Sequence, residues 1–98
     1  MIKVLVKKNQ VEITGHSDYD TIGKDIVCSA VSSIVTTTIN GIISLDSEAI
    51  YYEYYSDKML IELKKDDIVI RKLIDNMIDL LISLSKDYPK NIKVKEMV

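Results

Sequence analysis

The stretch IVCSAVSSIVTTTINGII, residues 26–43, decides how this chain folds. Its valines, isoleucines and threonines belong to the residue types enriched in strands, yet its spacing is helical. Ile26, Val27, Ala30, Val31, Ile34, Val35, Thr38, Ile39, Ile42 and Ile43 recur one, three and four positions apart. Ser29, Ser33, Thr37 and Asn40 fall mostly on the opposite side, which makes an amphipathic helix. β-Branched side chains lower helix propensity by some tenths of a kcal/mol per residue, so packing must supply most of this helix's stability.

On the N-terminal side the period changes to two. In MIKVLVKK, Ile2, Val4 and Val6 share one face while Lys3, Leu5 and Lys7 share the other. Val11 and Ile13 then alternate with Glu12 and Thr14 after Asn9-Gln10, which predicts a hairpin with a two-residue turn. Beyond the helix, Tyr51 to Tyr55 and Met59 to Leu63 predict a second hairpin around Ser56-Asp57-Lys58. Asp66 or Asp67 caps a second helix marked by Ile70, Leu73, Ile74, Met77, Ile78, Leu81 and Leu84, ended before Pro89. Ile92 and Val94 alternate with lysines as a last strand. The expected fold is α+β in the order ββαββαβ, a mostly antiparallel sheet with two helices on one face, in a single domain over residues 1–98.

Composition narrows the function classes. With 98 residues, 47% of them hydrophobic, three glycines and one proline, the chain is long enough to bury its own core. It holds one cysteine, and no segment has the pattern of a secretory signal, so the expected compartment is the cytoplasm. Apolar runs such as Ile78 to Leu84 are interrupted by Asp79 and Ser83, short of the roughly 20 residues of a membrane span, and no membrane partner is expected. Thirteen basic and 15 acidic side chains give a net charge of −2, so direct nucleic-acid binding is not expected either. Lys7 with Lys8 and Lys64 with Lys65 read as solvated strand ends.

The only histidine and the only cysteine lie in GHSDYDTIGKDIVCSAVSS, residues 15–33. Gly15 ends the first hairpin, which puts His16 at a strand end and the mouth of a loop. Asp25 is the natural N-cap of the helix, which places Cys28 in its first turn. A helix N-terminus favours an anion by about 0.3–1 kcal/mol, and a neighbouring imidazolium would add to that. Cys28 falls at the edge of the apolar stripe, one turn before Ser32, where a substrate can reach it. On residue types alone, packing is the commoner role for a lone cysteine, turn formation for Gly15 and capping for Asp25. One histidine and one cysteine make no metal site, and no cofactor is implied.

Gly15-His16, then Gly23, Asp25-Ile26-Val27-Cys28 and Ser32 resemble the pattern of the ribosomal-processing cysteine proteases (Prp). In words, that pattern is a Gly-His strand end, a variable loop, then G-x-DIVC-x-x-x-S. The resemblance covers the whole chain in length and element order. It implies a cysteine endopeptidase that removes the N-terminal extension of large-subunit ribosomal protein twenty-seven, with Cys28 as nucleophile and His16 as general base. Asp25 and Ser32 fall on recurring positions, and Ser17 stands where many relatives have alanine. Asp18, Asp20 and Asp25 are all candidates to orient His16, and the loop 17–24, with Gly23 as hinge, is a candidate to close over a peptide. The resemblance implies a substrate with bulky apolar residues before the cut and a small residue after it. A chain this short implies a shallow groove, completed across a homodimer, and the tyrosines of YYEYY are candidates for that groove or a dimer contact, with cross-strand packing their commoner use. The alternative is a non-enzymatic ribosome-assembly or adaptor module that binds the same extension.

Overall fold

The computed structural model describes residues 1–15, 26–55 and 57–97. Strands β1 (Ile2–Lys7) and β2 (Gln10–Thr14) precede helix α1 (Ile26–Leu45). Strands β3 (Ile50–Tyr54) and β4 (Lys58–Leu63) precede helix α2 (Ile68–Asp87), and β5 (Ile92–Glu96) completes the order. The sheet runs β3-β4-β2-β1-β5, antiparallel throughout except for the parallel pair β1 and β5. The α+β fold read from the periodicities is the one observed.

Alternation decides which face is covered. Ile2, Val4, Val6, Val11, Ile13, Ile61 and Ile92 point one way and are buried beneath the helices. Helix α1 answers with Val27, Val31, Val35, Ile39 and Ile42, and α2 with Ile70, Ile74, Met77, Ile78 and Leu81, all in one core. By length and composition alone α1 could cross a bilayer. Its apolar side is instead turned onto the sheet, while Ser29, Ser32, Ser33, Thr36, Thr37 and Asn40 are exposed opposite.

Several boundaries differ by one residue from expectation. The first turn is Lys8-Asn9, not Asn9-Gln10, because burying Val6 against Val11 pairs Lys7 with Gln10. Strand β3 begins at Ile50, whose 5% exposure ties it to the core, and β4 begins at Lys58. Of the two candidate caps, Asp67 is the one used: its carboxylate accepts from Val69 N at 2.8 Å and Ile70 N at 3.2 Å. Such a cap stabilises by about 1 kcal/mol.

Candidate active site

Helix α1 begins at Ile26, so Cys28 occupies its first turn as expected. The first-turn amides of a helix have no partner within the helix and point out of its end. Cys28 is half-buried and packs against the rim of the core, while Ser32, one turn on, is exposed. Both open onto a pocket of about 330 Å³ at this end of the sheet.

The floor of the pocket follows from strand register. Val4, Ile13, Met59 and Tyr54 form one row across β1, β2, β4 and β3 on the helix-covered face. Exposure rises along that row from 0% at Val4 and 3% at Ile13 to 48% at Tyr54, because the helices cover the middle of the sheet and not its β3 edge. An apolar shelf of Ile13, Met59 and Tyr54 therefore emerges beside Cys28. Tyr52 meets Tyr54 edge to face at 5.7 Å, which steadies the ring on that edge. Tyr55, with its backbone N–H bonded to Lys58 O at 2.7 Å, closes the far wall with Asp57 and Lys58.

Gly15 lies in the opposite wall and has no substitute there. Its φ is +89°, and an added Cβ would overlap the Met1 carbonyl oxygen. Gly15 N–H also donates to Asp57 O at 3.0 Å, tying the end of β2 to the β3–β4 turn. His16, Gly23 and Asp25, with Asp18, Asp20 and the loop 17–24, lie outside the described residues. Of the candidate site residues, the structure thus brings together Gly15, Cys28 and Ser32 around one pocket.

A second cleft, of about 470 Å³, opens at the opposite end between β1, β2 and α2, lined by Lys7, Lys8, Arg71, Asp75 and Asp79 among others. Its described lining holds no cysteine, serine or histidine. Among the described residues no group of three or more His, Cys, Asp or Glu side chains gathers to hold a metal ion.

The sequence model of the family described as cysteine protease Prp matches residues 1–93. The chain belongs to the cysteine protease Prp family. Members are cysteine proteases, which decides for an enzyme over a non-enzymatic adaptor. The fold matches solved Prp structures. One is an essential ribosomal processing protease Prp from S. aureus in complex with a covalently linked product peptide, at a TM-score of 0.92 and 24% identity over 99% of this chain and 100% of that one. The same S. aureus protease in complex with a substrate peptide gives a TM-score of 0.87 at 24% identity, with coverage of 99% and 100%. SMU.848 from Streptococcus mutans gives 0.79 at 24% identity, covering 98% of this chain and 91% of that one. A search of curated proteins returned no significant match.

The shelf residue Met59 and the wall residues Asp57 and Lys58 escape sequence reading. Nothing local marks them: Met59 enters the site only because β4 pairs with β2 in a register that sets it opposite Ile13.

Proposed function

We propose that this Prp-family protease removes the N-terminal extension of large-subunit ribosomal protein twenty-seven, with Cys28 as nucleophile and His16 as general acid and base. The observation that carries this reading is the shared pocket: Cys28 in the first turn of α1 faces the same space as Gly15, and His16 is the next residue in the chain.

In the reaction, Cys28 Sγ, as the thiolate of a thiolate–imidazolium pair with His16, attacks the scissile carbonyl carbon. The negative charge that forms on the carbonyl oxygen is stabilised by first-turn amides of α1. His16 gives its proton to the departing amine as the C–N bond breaks, leaving a thioester on Cys28. Water then loses a proton to His16, attacks the thioester, and frees the carboxylate product and the Cys28 thiolate. The Ile13, Met59 and Tyr54 shelf supports an apolar side chain of the peptide beside the reacting bond. Ser32, one turn after the nucleophile, borders the same pocket.

The protein works in the cytoplasm as a homodimer. Support for pairing comes from edge strand β3 and the residue after it, where Tyr51, Tyr52, Tyr54 and Tyr55 stay 40–57% exposed. Sedimentation equilibrium checks the dimer. The deciding assay incubates purified protein with a peptide copying the ribosomal protein's extension and follows cleavage by mass spectrometry. Wild type trims the peptide and Cys28→Ala leaves it intact; cleavage by Cys28→Ala would overturn the assignment.

A further inference from the structure

The net charge of −2 averages over a sheet face on which the fold has sorted the signs. On the face away from the helices, β1 presents Lys3, Leu5 and Lys7, and β5 presents Lys93 and Lys95. Register sets Lys3 beside Lys93 and Leu5 beside Lys95, so the four lysines form one lane with no acidic side chain on those two strands' outer face. All four are exposed, and among the described residues none of them is in an ion pair. The acids of this face, Glu12, Glu53 and Glu62, lie on the other three strands. There Lys58 faces Glu12 at 3.9 Å, and the hydroxyls of Tyr51 and Tyr55 donate to Glu53.

We propose that the β1–β5 lane is a docking surface for the phosphodiester backbone of RNA. Strand geometry puts Lys93 and Lys95 about 6.6 Å apart and Lys3 about 4.8 Å from Lys93, a rank of like charges at regular intervals. Lys7 also borders the second cleft, but Lys3, Lys93 and Lys95 line neither pocket described above, and the rank matches a polyanion with repeating charges. A second copy pressed on the same face is the rival occupant. Five strands about 4.8 Å apart and five residues long at about 3.3 Å each offer about 400 Å² per partner. The resulting total of about 800 Å² is below the roughly 1,200 Å² at which stable interfaces begin. RNA, held by charge alone, needs no such area. The choice of RNA rests on the ribosomal reading above, since a precursor of a ribosomal protein is met where RNA is abundant. The lane would hold the protease near that substrate without touching the Cys28 pocket, whose described lining includes none of the four lysines.

The test is fluorescence anisotropy of a labelled 20-nucleotide single-stranded RNA titrated with the full chain at several salt concentrations. Four phosphate contacts predict a slope of log K against log salt of about −2.8. Lys93→Gln with Lys95→Gln lowers it to about −1.4, and adding Lys3→Gln and Lys7→Gln abolishes binding, with circular dichroism unchanged. Glu62→Gln leaves the slope as it is. Cleavage of the free peptide is measured on the same samples and stays at the wild-type rate, so loss of RNA binding and loss of protease function are read separately. Absence of binding by wild type at 50 mM salt, or an unchanged slope in the fourfold variant, overturns the proposal. So does a change in sedimentation of the fourfold variant without a change in RNA binding, which assigns the face to a second copy.

Discussion

The chain holds two ββα units, and their helices begin in different ways. Between β4 and α2 lie only residues 64–67, and Asp67 closes the helix end with its own carboxylate. Between β2 and α1 lie residues 15–25, and the first turn of α1 borders a pocket with a cysteine in it. Both helices run for 20 residues and both bury five side chains in the common core. The core treats the units alike, and the difference is confined to the helix entrances. A short, capped entrance consumes its amides locally and serves stability. At the other entrance the first turn of α1 instead lines a pocket together with Gly15, Met59 and Tyr54.

Substitutions at the two entrances should therefore separate activity from stability. Cys28→Ala is expected to lower peptide cleavage by at least about a thousandfold while the melting temperature stays near that of the parent, since a half-buried thiol gives way to a methyl group. Equal activity in parent and variant would remove the chemical distinction between the two ends. Gly15→Ala should cost more than about 1 kcal/mol, because the φ of +89° and the Met1 carbonyl both oppose a side chain. For a domain of this size that is a fall of at least about 4 °C in thermal unfolding, with activity reduced as well.

Asp67→Ala should cost about 1 kcal/mol and leave kcat/KM per folded molecule unchanged, which circular dichroism melts and initial rates together can check. The smallest effect belongs to the pair that braces the α1–β3 connection near α2. Lys65 Nζ lies 2.9 Å from Asp46 Oδ2, and its hydrogen bond holds the Asp46 carboxyl below the usual carboxylate range. The same bond raises Lys65 above the usual lysine value. A lowered acid stabilises above its unfolded pKa, about 3.9, and the gain fades as pH falls through the folded value. A raised base stabilises below its unfolded pKa, about 10.4, and the gain fades as pH rises through the folded value. Urea melts of Lys65→Met should show a small deficit between about pH 4 and pH 10 that disappears on both sides; a deficit persisting at pH 2 would refute the pairing.

Much of this was legible from residue spacing. Ile26 as the helix start, the order of elements and the alternation of β1 all follow from local patterns that tertiary contacts reinforce. The turn at Lys8-Asn9 was misplaced by one residue because either position satisfies the local alternation, and only the Val6–Val11 pairing chooses. Gly15 and Cys28 were legible as motif residues, but the reason Gly15 must be glycine was not. It comes from Met1, which lies far from it in sequence and meets it only once β1 and β2 pair. Met59 was hidden for the same reason. A hairpin pattern shows which residues alternate and not which strand they will lie against.

The parallel pairing of β1 with β5 joins two segments that lie far apart in the sequence. Ile2 N–H bonds to Asn91 O at 2.8 Å and Met97 N–H to Val6 O at 2.7 Å, so β1 is shielded on one side by β2 and on the other by the edge strand β5. Without residues 92–96 the sheet would end at β1, with that strand's edge unpaired and Ile92 missing from the core.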